Sequence, residues 1–187
     1  MQFDSMKVMR RLVKGLGVCL ILIAVFSVSL YFFNKRAQQN STKQKLILTP
    51  AVINRPLPAA NLVNISGKPL DDENLRRGKV LLVFAMTDCK PCDQENDFLK
   101  TVIATRQDLT FFYVIPFGNK DKSLKEAQSK YAFETFFDVG STLARTLEIY
   151  EVPIKVFLED GVIKKTWSEA SVNDKRQTEF KDWLSSL

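Results

Sequence analysis

The chain has 187 residues, of which 45% are apolar, and it contains three cysteines and no histidine. This length accommodates one ordinary domain with a short extension, and the apolar content is enough for a core without disulfide staples. The absence of histidine excludes Cys–His catalytic pairs and the histidine ligands of most catalytic metal sites.

The net charge of +6 is concentrated at the N-terminus. Residues 1–36 hold six basic residues and one acidic residue, which leaves 21 basic and 20 acidic residues in the rest of the chain. A nucleic-acid-binding surface needs clustered basic residues in the folded part. The charge distribution therefore indicates that nucleic acid is not a partner.

An uncharged, apolar run of 19 residues, 15–33, follows this basic tail. As a helix rising about 1.5 Å per residue it would span roughly 28 Å, the thickness of a bilayer core. Residues 27–29 (Ser-Val-Ser) resemble a cleavage site, so a cleaved signal peptide is the alternative. Because the apolar run continues to Phe33 and then meets Lys35 and Arg36, we expect an uncleaved transmembrane anchor in contact with lipid.

The orientation of this anchor is suggested by the short leading tail, which favours a cytoplasmic N-terminus. Residues 1–36 are therefore expected to form a cytoplasmic tail and a single span in a bacterial cytoplasmic membrane. Residues 37–58 are polar and contain Pro50, Pro56 and Pro58, which is typical of a linker. The remaining residues, 59–187, would form one domain on the periplasmic or extracytoplasmic side.

Two long apolar runs dominate the first half of this domain. After a short strand at 61–65, the run 79–87 is apolar on both faces and predicts a buried central strand. Pro91 opens a helix with apolar side chains at helical spacing, and 109–116 predicts a second buried strand. The order is strand, helix, strand.

The second half predicts three helices and a hairpin. Helices are expected at 120–131, 141–150 and 174–184. Asp160-Gly161 separates two strand-like runs, 154–158 and 162–167, and Asp-Gly is a strong hairpin signal. The pattern predicts an α/β fold in which helices cover a mixed β-sheet.

Cys89 and Cys92 lie at the junction between the first buried strand and its helix. Free backbone N–H groups and the helix dipole stabilise a thiolate there, so Cys89 is expected to be the nucleophile. Cys92, one turn further on, can attack the mixed disulfide that Cys89 forms and release the substrate. The spacing predicts a redox-active, catalytic dithiol.

Two other uses of the pair are weaker. A structural zinc needs four ligands, and without histidine the missing two would have to be carboxylates or come from a second chain. An inert disulfide across two intervening residues would constrain little of the unfolded chain. No metal and no cofactor is expected.

From about Asn54 to the C-terminus, the sequence resembles the thioredoxin-like superfamily, most closely the membrane-anchored TlpA/ResA-type thiol–disulfide oxidoreductases. Cys89-Lys90-Pro91-Cys92 followed by Glu95 is similar to the family's Cys-x-Pro-Cys-x-x-Glu. Residues 138–153 are similar to its last helix and cis-proline loop. The resemblance implies a thioredoxin-like fold, a cis bond between Val152 and Pro153, and a supporting role in the active site for Lys90, Pro91, Val152 and Pro153.

Three positions differ from the family pattern. Asp88 stands where a tryptophan usually precedes the first cysteine, and Ile154 replaces the threonine after the cis-proline. Val83 occupies the position, six residues before the first cysteine, at which cytosolic thioredoxins bury an acid. The reaction class depends on the cysteines and not on these positions.

The resemblance implies an enzyme that reduces or exchanges disulfides of extracytoplasmic client proteins, in cytochrome c maturation or for another cofactor-bearing protein. Its partners would then be disulfide- or dithiol-containing clients, an upstream redox donor and the lipid bilayer. The alternative is an anchored thioredoxin-like binding or assembly module whose cysteines are not essential.

Overall fold

The computed structural model describes residues 52–104, 106–168, 170–171 and 173–187. The predicted anchor at 15–33 and most of the predicted linker lie outside these residues. Among the residues that are described, no helix combines the length and apolar character needed to cross a membrane.

The domain contains six strands and five α-helices within the described residues. In chain order they are β1 (Leu62–Val63), α1 (Glu73–Arg76), β2 (Lys79–Phe84), α2 (Lys90–Ile103), β3 (Leu109–Ile115), α3 (Lys120–Lys130), β4 (Thr135–Asp138), α4 (Thr142–Thr146), β5 (Ile154–Glu159), β6 (Val162–Trp167) and α5 (Asp174–Ser185). A short 3-10 helix, Val139–Ser141, precedes α4.

The six strands form one mixed sheet in the order β1-β4-β3-β2-β5-β6. Strand β2 pairs in parallel with β3 and antiparallel with β5, and β3 pairs in parallel with β4. The remaining pairs, β1 with β4 and β5 with β6, are antiparallel. The predicted mixed sheet with a buried central strand is confirmed.

Strand β2 separates two apolar cores because its side chains alternate between the faces of the sheet. Leu82 and Phe84 face a core that includes α4 residues, whereas Leu81 and Val83 face a core shared with α2 and α5. Leu81, Leu82, Val83 and Phe84 are all fully buried. A strand buried on both faces needs the continuous apolar run that the sequence provides.

The helix predicted at 141–150 is shorter in the structure. The carboxylate of Asp138 accepts hydrogen bonds from the backbone N–H groups of Leu143 and Ala144, which fixes the start of α4. The helix ends at Thr146, and Glu148 adopts a φ of 55° that turns the chain. Ile149 is then buried in the core instead of continuing the helix.

The end of the predicted linker lies against the sheet. The backbone N–H of Asn54 donates to the carbonyl of Ile163 at 2.7 Å, and that of Leu57 donates to Gly161 at 2.8 Å. Leu57 is also buried, with 2% of its surface exposed. These contacts cover part of the outer edge of β6.

Candidate active site

The cysteine pair lies at the N-terminus of α2. Cys89 caps this helix, and its sulfur accepts a hydrogen bond from the backbone N–H of Cys92 at 3.2 Å. Pro91 lies in the first turn, where the missing N–H is not needed by the helix. The predicted junction of buried strand and helix is confirmed.

Cys89 and Cys92 are joined by a disulfide, with their Cα atoms 5.2 Å apart. Cys89 is partly exposed and Cys92 is fully buried, although one helical turn separates them. Cys89 is therefore the cysteine of the pair that is open to solvent, whereas Cys92 faces the core beneath α2. Lys90 and Pro91 are exposed at the tip of the motif.

The loop before β5 completes the site. The peptide bond between Val152 and Pro153 is cis, which agrees with the isomer that the family resemblance implies. The sulfur of Cys89 lies 3.9 Å from the carbonyl oxygen of Val152, across a separation of 63 residues. Pro153 is buried and begins the approach to β5. The structure thus brings Val152 and Pro153 to the cysteine pair.

Helix α3 holds the loop that leads into Cys89, a contact that the sequence analysis missed. The hydroxyl of Tyr131, the residue after α3, donates to the carbonyl of Met86 at 2.7 Å. The ammonium of Lys130 donates to the carbonyl of Thr87 and lies 2.7 Å from the Asp93 carboxylate. Burial is the main cause that raises the pKa of Tyr131, so it remains a neutral donor.

A buried ion pair lies one helical turn after Cys92. The Lys155 ammonium is 2.6 Å from a carboxylate oxygen of Glu95, and the two side chains are 1% and 0% exposed. The backbone N–H of Ser171 donates to the other carboxylate oxygen, and the Ser171 hydroxyl is 3.3 Å from the ammonium. Burial lowers the pKa of Lys155 and the charge of Glu95 opposes that shift.

Glu95 follows Cys92 by three residues, so both lie on the inward face of α2. The sequence identified Glu95 through its spacing from the cysteines. It gave no sign of Lys155, because 60 residues separate the partners and only the pairing of β2 with β5 brings them together.

The described residues contain no group of three histidine, cysteine or carboxylate side chains arranged to hold a metal ion. The cysteine pair is in its disulfide form.

No family model matches the sequence, and no curated protein matches it. Solved structures do match. A secreted disulfide oxidoreductase of Mycobacterium tuberculosis, described as homologous to E. coli DsbE, has a TM-score of 0.56 and 19% identity, covering 67% of this chain and 94% of that chain.

Two further structures give the same result. DsbF of Mycobacterium tuberculosis has a TM-score of 0.55 and 18% identity, over 73% of this chain and 97% of that chain. The thioredoxin domain of a thiol–disulfide oxidoreductase from Bacteroides vulgatus has a TM-score of 0.58 and 14% identity, over 71% and 97%. The chain therefore has the thioredoxin-like fold of these thiol–disulfide oxidoreductases.

Proposed function

We propose that the protein is a membrane-anchored thiol–disulfide oxidoreductase in which Cys89 attacks client proteins and Cys92 resolves the resulting mixed disulfide. One observation carries this proposal. An accessible Cys89 caps α2 beside the cis-Pro153 loop and is bonded to a buried Cys92. This arrangement separates an attacking sulfur from a protected one.

In the reducing direction, the Cys89 thiolate attacks one sulfur of a client disulfide. A mixed disulfide forms, and the second client sulfur leaves as a thiolate that takes up a proton. Cys92 then loses its proton and attacks the sulfur of Cys89. The Cys89–Cys92 bond forms as the bond to the client breaks, and the remaining client sulfur leaves as a thiolate that takes up a proton. The client gains two electrons and the protein loses two.

The oxidised protein needs a second partner, because two electrons must return before the next cycle. An upstream dithiol donor would attack the accessible Cys89 sulfur in the same way. Exposed Lys90 carries a positive charge next to the attacking sulfur, which favours its thiolate form. Pro91, Val152 and Pro153 would shape the surface that a client chain meets.

The proposed cellular setting is supported by the sequence. The uncharged run 15–33 behind a basic tail supports an anchor in the bacterial cytoplasmic membrane, with the domain on the extracytoplasmic side. Clients would be extracytoplasmic proteins with disulfides, including cofactor-bearing proteins such as cytochromes c. A reporter fused after Leu187 should be active only outside the cytoplasm, and activity only in the cytoplasm would contradict this topology.

Trapping tests the reaction. Cys92→Ser in the full-length chain should accumulate mixed disulfides with clients, because Cys89 can still attack but the releasing thiol is gone. The adducts should dissolve with reductant and should be absent from the Cys89→Ser variant. A matched Cys19→Ser variant, which leaves the pair intact, should accumulate none.

A double variant, Cys89→Ser with Cys92→Ser, separates the enzyme from a binding module. The proposal expects this variant to lose function in the cell while keeping its fold. Full function without either thiol would show that the cysteines are dispensable and that the domain acts by binding alone.

A further inference from the structure

The Glu95–Lys155 pair has no part in the reaction as written above, yet it lies one helical turn from the resolving thiol. Cys92, Glu95 and Lys155 are each 0–1% exposed. The carboxylate is held from two sides, by the Lys155 ammonium at 2.6 Å and by the backbone N–H of Ser171. Both oxygens are therefore directed towards β5 and the Ser171 segment.

Among the residues that the structure describes, further charged or ionisable groups near this pair lie on α5, β3 and α2. Helix α5 provides Arg176, whose positive charge acts on Lys155. Strand β3 provides Tyr113, whose pKa is raised mainly by burial and which donates to Asn96 of α2 at 3.2 Å. Helix α2 itself also carries Asp93, paired with Lys130, and the exposed Asp97. Strand β2 faces the pair with apolar Leu81 and Val83.

A buried carboxylate behaves in one of two ways. Without a cation, it avoids the cost of burial by taking a proton, and when ionised it opposes the formation of a neighbouring thiolate. With a cation in contact, it stays ionised and its field at a third group is largely cancelled. Lys155 determines which of these applies to Glu95.

We propose that Lys155 is a positioning residue for the resolving step, which holds Glu95 as a fixed and paired carboxylate beneath Cys92. Glu95 then neither accepts the proton of Cys92 nor presents an unbalanced negative charge to it. The proton of Cys92 passes instead to water or to the client thiolate that has just left. This inference rests on the proposed function and deepens it.

Dithiobis(nitrobenzoate), a chromogenic disulfide, tests the proposal with the full-length chain carrying Cys19→Ala. Reduced protein should release the coloured thiolate in two stages, the first when Cys89 attacks and the second when Cys92 resolves the mixed disulfide. The rate of the second stage is followed from about pH 5 to about pH 9, where a thiol near its usual pKa titrates. When the chain carries no change other than Cys19→Ala, and is called the unchanged chain below, the second-stage rate should show a single inflection with pH, that of the Cys92 thiol.

Lys155→Met should leave Glu95 unpaired. The second stage should then show an added inflection from Glu95, and at a pH above that inflection it should be at least about tenfold slower, equivalent to a rise of one unit in the pKa of Cys92. Lys155→Arg, which keeps the cation, should restore the profile of one thiol. Lys164→Met, an exposed lysine on β6, is the matched control and should change nothing.

Glu95→Gln combined with Lys155→Met removes both charges and decides the question even if Lys155→Met does not fold. Its second stage should follow one thiol at a rate within about threefold of the unchanged chain, a shift of less than half a pKa unit. A slowing of about tenfold or more would show that Glu95 carries a proton for Cys92 and would overturn the proposal.

A folded Lys155→Met variant with an unchanged profile would overturn it as well. Absence of any second stage in the unchanged chain would instead overturn the proposed function, and this inference with it.

Discussion

Lys155 of β5 lies directly opposite Val83 of β2 in the antiparallel register of the sheet. The sequence resembles the thioredoxin-like superfamily, and Val83 occupies the position at which the cytosolic members of that superfamily bury an acid. In this chain the buried carboxylate comes from α2 as Glu95, and its cation comes from the strand neighbour of Val83. The buried acid of this chain is thus on α2 instead of β2, and it is paired with a cation from β5.

Removing one charge of the Glu95–Lys155 pair should cost more stability than removing both. Lys155→Met alone should lower the free energy of unfolding by about 3–5 kcal/mol, because it leaves a buried carboxylate unpaired. Glu95→Leu combined with Lys155→Met should be neutral or should raise it by about 1–4 kcal/mol, because no buried charge remains. Urea unfolding near neutral pH measures both. Equal losses in the single and double variants would contradict this expectation.

The composition of the cysteine motif predicts a reducing protein. Four acids lie close to the motif in sequence, but the structure pairs three of them with cations: Asp93 with Lys130, Glu95 with Lys155 and Asp97 with Lys100. With no histidine in the motif, we expect a potential nearer the roughly −270 mV of thioredoxin than the roughly −120 mV of strong oxidants. Equilibration with glutathione buffers, followed by quantification of the Cys89–Cys92 disulfide, measures this value.

Asp88 is the remaining acid, and it is exposed immediately before Cys89. Asp88→Asn removes a negative charge that opposes the thiolate, so the potential should become more oxidising, by about 30 mV for each tenfold stabilisation of the reduced form. Asp97→Asn, further along α2, is the matched control and should have a smaller effect. A potential unchanged by Asp88→Asn would show that this charge does not act on the site.

Tyr131 should stabilise the loop before Cys89. Tyr131→Phe removes the hydroxyl that donates to the Met86 carbonyl and should cost about 0.5–1.5 kcal/mol in the free energy of unfolding. Tyr150→Phe is the control, because this side chain is 61% exposed and its loss of a hydroxyl should have little effect. Thermal unfolding of the two variants in parallel tests the difference, and equal midpoints would argue against the contact.

Asp108 should make the free energy of unfolding vary with pH in the acidic range. The Arg106 guanidinium donates two hydrogen bonds of 2.7 Å to this carboxylate and lowers its pKa from 3.8 to about 2. Because the folded-state pKa is the lower one, the stabilisation is complete above the unfolded value and is lost as pH falls from about 4 to about 2. Because the Asp108 side chain is half exposed, the pair is screened and the effect should shrink in salt.

The measurement is urea unfolding of Asp108→Asn against the unchanged chain. The variant should be less stable at about pH 6, and the difference should close towards about pH 2. Asp182→Asn, an exposed aspartate of α5, provides the control. A difference for Asp108→Asn that is constant with pH would rule out titration of this carboxylate as its cause.

Local sequence patterns were sufficient to predict most of the strands and helices. The apolar runs identified β2 and β3 to within three residues at each end, and the Asp160-Gly161 turn between β5 and β6 is present with φ of 49° and 75°. Strand β4 and helix α1 were missed. Each has only four residues, and β4 is a strand because it pairs with β1 and β3, which are distant in sequence.

The cysteines and their helix could also be read from the sequence, since a cap, a proline and a dithiol are local features. The cations of the site could not. Lys130 and Lys155 follow the motif by 38 and 63 residues, and each reaches it only through packing of α3 or β5. Sequence proximity alone therefore identified the acids near Cys89 and Lys100, but not the two distant cations that pair with Asp93 and Glu95.

The order of elements in the sheet has a consequence for how the protein matures. Strand β2 leads directly into the cysteine pair, but its neighbour β5 is synthesised some 60 residues after Glu95. A growing chain therefore presents both thiols before the cis-Pro153 loop and the Lys155 cation exist beside them. During that interval Cys92 lacks the partners that bury it, and the distinction between an attacking and a resolving sulfur arises only when the C-terminal third of the chain has folded.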